Sequence, residues 1–311
     1  ANFYDASQGV TYLIYEVQTY VILYDNDTSQ ITQWFPIRML APTFVRGRVN
    51  SETVRNKMWG DLSGERTGED RGREGSFPEY FSRRIQGIKF RRAEKFSVRV
   101  TNVKLAKYAN DWLARHDKPL NEFIEISQHS LTSAVSEQCR ISIQPPYINK
   151  GMAKIVMAIR YAEAIKGGTT SKKLTLKEAD LELQLVMGGM SLKLKKVKGM
   201  QTIYDRRTVT GVRLNVFLRG EQIFGYWLRG ISVERTDGTW NNDYYHVLDL
   251  NQRLFDWFFA ELYKGTGYGK MVRGHTHVGR NKKHLTRVIN KGGYEEFVNN
   301  MQNLRKILLK A

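Results

Sequence analysis

The beginning of the chain has the residue pattern of a β-hairpin. Val10 to Tyr24 is rich in β-branched and aromatic residues and contains neither Gly nor Pro, which favours a strand. Residues 25–29 are Asp, Asn, Asp, Thr and Ser, a cluster that is typical of a turn. Ile31 to Phe35 is therefore predicted as the returning strand, and Pro36 as its end.

A second group of strands is predicted between residues 174 and 235. Apolar residues alternate with polar ones around Leu192 and Leu194, and longer runs cover Val209 to Leu218 and Ile223 to Val233. Gly220, between the two long runs, indicates a turn. Residues 174–186 fit either a strand or a helix, and both alternatives stay open.

A further strand is predicted at Ile88 to Val100, with two faces of opposite character. Apolar residues occupy five of its seven even positions, and Lys or Arg occupies four of its odd positions, including Arg91 and Arg99. Because successive side chains of a strand point to opposite faces, the outer side of this strand is predicted to be cationic.

Apolar residues at helical spacing predict helices in other parts of the chain. The predicted helices cover residues 51–59, 76–85, 102–115, 151–166, 250–263 and 294–310. Asn50 or Ser51 can cap the first helix, Asn102 opens the third, and Asp249 can cap the fifth. The last helix carries one apolar stripe: Phe297, Val298, Met301, Leu304, Ile307 and Leu308.

Strands before and after helices, without a strict βαβ rhythm, predict an α+β fold. The expected architecture is one of mixed, mostly antiparallel sheets with several helices and a C-terminal amphipathic helix. Residues 1–168 are predicted as an α+β region that contains a long polar loop at 60–78. Residues 169–311 are predicted as a β-rich region followed by helices and a basic C-terminal segment. A single domain is the alternative.

Positive charge is the clearest feature of the composition. The 311 residues include 49 Lys and Arg against 31 Asp and Glu, a formal net charge of +18. Residues 1–37 hold four acids and no base, whereas residues 264–311 hold 11 bases and 2 acids. Basic blocks favour contact with a phosphate polyanion, because each neutralised phosphate releases condensed counterions. A solvated surface, or one that faces acidic neighbouring subunits, is the alternative.

The composition also excludes several classes of protein. A hydrophobic content of 41% excludes wholesale disorder. The single cysteine, Cys139, excludes an intrachain disulfide framework and a cysteine-based zinc site. No window approaches ~20 uninterrupted apolar residues, and residues 1–9 lack the basic region of a signal peptide. The chain is therefore expected to be soluble, without a membrane span, inside a cell or a virus particle.

Phosphate-loop and calcium-loop motifs are both incomplete. The glycine-rich segment from Gly265 to Lys270 has the wrong spacing for a phosphate loop, and Met271 follows where Ser or Thr is needed. A helix C-cap followed by a turn is predicted there instead. Asp25 begins like a calcium loop, but Gln30 stands where the loop needs glycine.

Three histidines are the remaining candidates for catalysis. His275 and His277 would share one face of a strand, and His284 follows closely. Metal-dependent nucleases need clustered carboxylates, and the only acids after residue 263 are Glu295 and Glu296. The histidines are therefore predicted to extend a basic surface. No catalytic residue, metal ion or cofactor is predicted.

Arginine pairs beside aromatic residues are the positive signal for a binding surface. Arginine forks match phosphate, and aromatic faces stack on bases. Arg229, for example, follows Tyr226 and Trp227. The predicted nucleic-acid contacts are Arg83, Arg84, Arg91, Arg92, Arg206, Arg207, Lys270, Arg273, Arg280, Lys282, Lys283 and Arg287. Solvated arginines beside core aromatics are the alternative for each pair.

Charge distribution and incomplete motifs together predict a non-enzymatic structural protein of a large assembly, such as a viral or bacteriophage particle. Its expected partners are DNA or RNA, acidic neighbouring subunits and further copies of itself. The alternative is a nucleic-acid-binding factor of replication, recombination or processing, including a nuclease that uses His275 and His277.

Overall fold

A computed structural model describes most of the chain. The described residues are 2–5, 10–25, 27–28, 30–47, 49–63, 77–87, 96–116, 118–146, 154–160, 169–175, 178–197, 203–236, 243–279 and 282–309. They form an α+β fold, which confirms the predicted class. The chain divides into two compact units: residues 1–21 with 35–90, and residues 22–34 with 91–311. The boundary predicted at 168–169 adjoins the undescribed residues 161–168 and stays a prediction.

A six-stranded sheet forms the centre of the larger unit. Its strands, in spatial order, are β10 (His275–Gly279), β11 (Lys282–Ile289), β9 (Glu221–Thr236), β8 (Tyr204–Leu218), β7 (Leu181–Lys196) and β4 (Val98–Leu105). All neighbours are antiparallel except β4 and β7, which are parallel. The sheet is therefore mixed and mostly antiparallel, as predicted. Strands cover residues 174–175 and 181–186, so the ambiguous segment 174–186 contains no helix in its described part.

The two long strands β8 and β9 are joined by a two-residue turn. Arg219 and Gly220 both have positive φ, at 49° and 89°. Such turns match the right-handed twist of the strands they connect, and glycine adopts positive φ without steric cost. The turn fixes the pairing of Leu218 with Glu221 and hence the register of the whole hairpin.

Strict alternation gives the sheet an inner face, which is buried, and an outer face, which is partly exposed. Along β8 every second residue from Arg206 to Val216 is buried, and the residues between them are partly or fully exposed. The inner face carries apolar side chains such as Leu183, Leu214 and Leu228, each fully buried. The outer face is the set of side chains that point the other way.

Helix α5 (Asp243–Lys264) lies along the inner face. Thr210 Oγ1 donates a hydrogen bond of 2.6 Å to Asn251 Oδ1, and the rings of Phe224 and Phe258 lie 5.8 Å apart. The other helices of this unit are α3 (Lys107–Arg115), α4 (Leu120–Cys139), α6 (Tyr268–Arg273) and α7 (Tyr294–Leu308). Together they bury one hydrophobic core against the sheet.

The C-terminal amphipathic helix is confirmed as α7. Phe297, Met301, Leu304 and Leu308 are buried in the core, whereas Glu295 is exposed. No described helix is both long enough and apolar enough to cross a membrane.

The smaller unit contains α1 (Ser51–Ser63), α2 (Phe77–Gly87) and strand β1 (Asn2–Asp5). It also holds residues 10–21 of β2 (Val10–Tyr24) and residues 35–46 of β3 (Ile31–Arg46). These two strands and β1 form a three-stranded sheet in the order β1-β2-β3. Asn50 Oδ1 accepts a hydrogen bond of 2.8 Å from the Thr53 amide, which confirms the predicted cap. The loop predicted at 60–78 is helical at both ends, and residues 64–76 lie outside the described part.

Several predicted element boundaries are wrong. Strand β3 continues through Pro36, which it tolerates because β3 is an edge strand. Strand β4 extends to Leu105, so Asn102 does not open α3. Helix α5 begins at Asp243, so Asp249 lies inside it and pairs with Arg253 at 2.8 Å instead of capping it.

The helix predicted at 151–166 is wrong over its described part. Residues 154–160 form strand β5 (Lys154–Arg160), which pairs antiparallel with β6 (Thr169–Thr175). The β-branched residues Ile155, Val156 and Ile159 suit a strand, and this preference outweighs the helical spacing.

The predicted cationic side of the strand at 88–100 is also wrong where the structure describes it. Arg99 is buried, with 1% of its surface exposed, and its guanidinium donates to Gln144 Oε1. Residues 141–144 run beside this edge of the sheet, where the Gln144 amide donates to the Val98 carbonyl. Arg99 is thus buried on the side that the sequence pattern leaves open to solvent.

Candidate functional site

Cationic side chains lie in register on the outer face of the six-stranded sheet. Lys193 of β7 pairs with Arg207 of β8, Arg207 pairs with Val233 of β9, and Val233 pairs with Lys283 of β11. Directly paired residues project to the same face, so Lys193, Arg207 and Lys283 form one row across four strands. The row spans about 14 Å at the usual strand spacing.

A second group of cations lies further along the same strands. Arg229 of β9 pairs directly with Arg287 of β11, and Arg213 of β8 pairs with Trp227 of β9. The row of Arg229 lies four residues from that of Arg207 along β8, or about 13 Å. These six residues are called the cationic face: Lys193, Arg207, Arg213, Arg229, Lys283 and Arg287.

Acidic side chains do not neutralise this surface within the described part of the chain. None of the six cations has an ion-pair partner there, and the Nε atoms of Arg213 and Arg287 have no hydrogen-bond partner. Among the nearby acids, Asp205 lies 3.3 Å from Arg235 and is already paired, and Glu296 lines the same hollow as Arg213. The cationic face therefore carries a net positive charge.

Trp227 lines two open hollows, each of about 500 Å³, and the second of them also reaches Glu296 and Asn300 of α7. Both hollows are lined by Trp227, Ile289 and Lys291. The first also contains Arg229, and the second contains Arg213. Each hollow thus joins an aromatic wall to an arginine.

Glycines make room for the tryptophan ring. A Cβ atom at Gly188 of β7 would overlap the ring of Trp227, which belongs to β9. The ring therefore reaches across β8, where Gly211 lies on the outer face. Gly188 sits in a bulge between Met187 and Gly189, and the bulge brings its backbone to the ring.

Arg206 differs from its neighbour Arg207 because it points to the inner face. It is 3% exposed, and its guanidinium contacts Nε2 of His246 on α5. The other ring nitrogen of His246, Nδ1, lies 3.9 Å from the Glu234 carboxylate. Arg206 is therefore a buried link between β8 and α5, although the sequence groups it with Arg207 as a predicted phosphate contact.

The other predicted contact residues lie on different elements. Lys270 and Arg273 are exposed on α6, and Arg83 and Arg84 are exposed on α2 of the smaller unit. Arg84 Nε donates a hydrogen bond of 3.0 Å to the Tyr80 hydroxyl. Arg91, Arg92, Arg280 and the side chain of Lys282 lie outside the described part. The structure thus brings together Arg207, Lys283 and Arg287 out of the predicted set.

The histidines are separated from the cationic face. His277 pairs with His284, which is buried on the inner side of β11, whereas Lys283 and Arg287 project from the outer side. His275 and His277 are exposed on β10. Among the described residues, no group of three His, Cys, Asp or Glu could hold a metal ion.

The single cysteine is held in its neutral form. Burial at the end of α4 raises the pKa of the Cys139 thiol from 9.0 to about 12. A thiol with this pKa is protonated at neutral pH, and the protonated form is a poor nucleophile. The glycine-rich segment is also structural: Gly265 follows α5 with φ at 71° and packs against Arg305.

Sequence reasoning missed Lys193 and Arg213 as members of the cationic face. Neither residue belongs to an arginine pair, which was the signal used. The alternation of β8 contains the information, because Arg207 and Arg213 occupy the partly exposed positions and Arg206 a buried one. Comparison of the chain with protein-family models and with curated proteins finds no match.

Proposed function

We propose that this chain is a non-enzymatic nucleic-acid-binding protein, and that the cationic face contacts the phosphate backbone. The observation that carries the proposal is the register of six cations on one sheet face, without acidic partners in the described part. The opposite face of the same strands is filled by the core, so the position of these cations is fixed by the fold.

Physical chemistry favours a polyanion as the partner of this face. Phosphates neutralised by Lys and Arg release condensed counterions, and this release drives binding most strongly where several cations act together. An arginine guanidinium can also bind two phosphate oxygens at once, and four of the six cations are arginines. When no ligand is bound, the cations of this face repel one another, and a bound anion relieves this repulsion.

A role in a large assembly, such as a viral or bacteriophage particle, remains part of the proposal. It rests on the concentration of basic residues in particular segments of the sequence and on the net charge of +18. The nuclease alternative with His275 and His277 stays a prediction, and no geometry of the described residues favours it.

The test compares two charge-reversed double variants with the same change in net charge. The first is Arg207→Glu with Lys283→Glu on the cationic face. The matched control is Arg55→Glu on α1 with Lys306→Glu on α7, both exposed residues. Binding to a fluorescent oligonucleotide is measured by anisotropy over a series of salt concentrations.

We expect the variant of the cationic face to lower the slope of log K against log salt by about two, since each lost phosphate contact removes about one. The control variant should change the slope by much less. Equal slopes for the two variants would overturn the proposal. Binding to an acidic polypeptide but not to the oligonucleotide would assign the face to acidic neighbouring subunits instead.

A further inference from the structure

The surroundings of Trp227 point to a form of nucleic acid whose bases are accessible. Trp227 lines two hollows at once, so an incoming planar group in either one meets the indole ring. In a duplex the faces of the bases are stacked on one another and cannot reach a ring on the floor of a surface hollow. Unpaired bases can stack on it, as they do on the aromatic platforms of single-strand-binding proteins.

The missing side chains around Trp227 open the route to the ring. Gly189 and Gly211 are paired neighbours on β7 and β8, and both line the first hollow. Gly225 lines the second hollow, but a Cβ there would overlap the side chain of Gln222, so the open space lies at Gly189 and Gly211. Glycine lets a flat ligand approach the strand backbone closely.

Cations stand where the backbone of a stacked strand would pass. Arg229 lines the first hollow, Arg213 lines the second, and Lys291 belongs to both. The Nε atom of Arg213 has no hydrogen-bond partner in the described part. Tyr108, with 77% of its surface exposed, adds a second aromatic side chain to the first hollow.

We infer that the cationic face binds single-stranded nucleic acid, with unpaired bases in the two hollows that Trp227 lines and phosphates at Arg213 and Arg229. This inference rests on the proposed function and specifies its ligand. Each hollow combines the ring of Trp227 with an arginine and Lys291, so successive nucleotides of one strand can use the two hollows.

The experiment compares a labelled single strand with the corresponding duplex at the same salt concentration. Three variants are tested beside the wild type: Trp227→Ala, Trp227→Phe and Trp59→Ala. Trp59 is the matched control, because it is 58% exposed and lies on α1 of the smaller unit. Circular dichroism and a urea titration establish that each variant is folded.

We expect the wild type to prefer the single strand, and Trp227→Ala to weaken single-strand binding by about 10-fold or more, in line with the loss of one stacked base. Trp227→Phe should restore most of this loss, and Trp59→Ala should have no effect. Duplex binding should change little in all three variants. The quenching of tryptophan fluorescence by the single strand should be smaller in Trp227→Phe than in the wild type.

Should Trp227→Ala fail to fold, Gly188→Ala takes its place, because it displaces the ring and keeps the aromatic side chain. Equal affinity for duplex and single strand, together with no effect of Trp227→Ala or Gly188→Ala, would overturn this inference. In that case a reduced salt slope for Arg207→Glu with Lys283→Glu would still support the proposed function. Absence of binding to any nucleic acid would overturn both.

Discussion

The two faces of the six-stranded sheet are built by the same strands and yet carry opposite chemistry. On the inner face, Leu214 and Val216 are fully buried against the helices. On the outer face, Arg213 and Asn215 stand between them in the sequence and are partly exposed. One residue of shift along β8 therefore separates the hydrophobic core from the cationic face.

Arg206 is the charged exception on the inner face, and its contacts show how a buried cation is accommodated there. Arg206 is a buried cation, and it is accommodated by contact with His246, beside Glu234. Thr210 is also buried there, with its hydroxyl bonded to Asn251. On the inner face, Arg206 and Thr210 contact side chains of α5 because an unpaired buried charge or polar group is costly, whereas the cations of the outer face lack acidic partners in the described part and remain available to a ligand.

The largest expected effect is on the stability of the inner face. Leu214→Ala should lower the free energy of unfolding by about 2–5 kcal/mol, because it removes a fully buried side chain and leaves a cavity. Ile231→Ala on the outer face should cost less, since Ile231 is partly exposed. Urea denaturation of both variants measures the two costs, and equal costs would contradict the assignment of the faces.

Alkaline pH should destabilise the core through Cys139. Its pKa is raised to about 12 in the folded state, so only the unfolded chain ionises between pH 9.0 and about 12. The contribution of the thiol is fully present below pH 9.0 and is lost as the pH rises towards 12. At a pH 1.5 units above the pKa of the thiol in the unfolded chain, the free energy of unfolding should be lower by about 2 kcal/mol.

The matched measurement is the unfolding free energy of the wild type and of Cys139→Ala from neutral to alkaline pH. The difference between the two proteins should shrink as the pH rises, because Tyr and Lys titrate in both and cancel. A constant difference would show that the thiol is accessible and not part of the core.

The smallest expected effect is at the turn that sets the register of β8 and β9. Gly220→Ala should cost about 1 kcal/mol, because Gly220 has φ at 89° and alanine is strained there. The exposed residue Glu221, changed to Ala, serves as the control and should leave stability nearly unchanged. If Gly220→Ala left the free energy of unfolding unchanged, this turn would constrain neither the register of the hairpin nor the alternation of the two faces.

Strands β8 and β9 were predictable because their alternation is nearly unbroken, whereas β5 was predicted as a helix. The last helix was predictable for the corresponding reason: its apolar residues recur at helical spacing. Helix α4 was missed, because its buried face includes Ser127, Ser130 and Ser133, whose polar side chains hide the helical pattern. Serine is small enough for close packing there, which only the tertiary structure reveals.

The candidate site was only partly predictable. Arginine pairs identified the segment 206–207, but a pair on a strand necessarily divides between the two faces. Which member faces the solvent depends on the position of α5, which contacts Arg206 through His246. The hollows beside Trp227 depend on a bulge at Gly188 and on three strands brought together by pairing, which no short sequence motif encodes.

Arg206 and Arg207 provide the most direct test, because they are adjacent in sequence and differ in the face they occupy. Each is changed to Leu, and both unfolding in urea and the salt dependence of oligonucleotide binding are measured. Arg206→Leu should lower stability by about 2 kcal/mol or more, as expected for the loss of a buried charged hydrogen bond, with little change in the salt slope. Arg207→Leu should leave stability within about 0.5 kcal/mol and lower the salt slope by about one. The opposite assignment, or the same response from both variants, would contradict the assignment of the outer face as the binding surface.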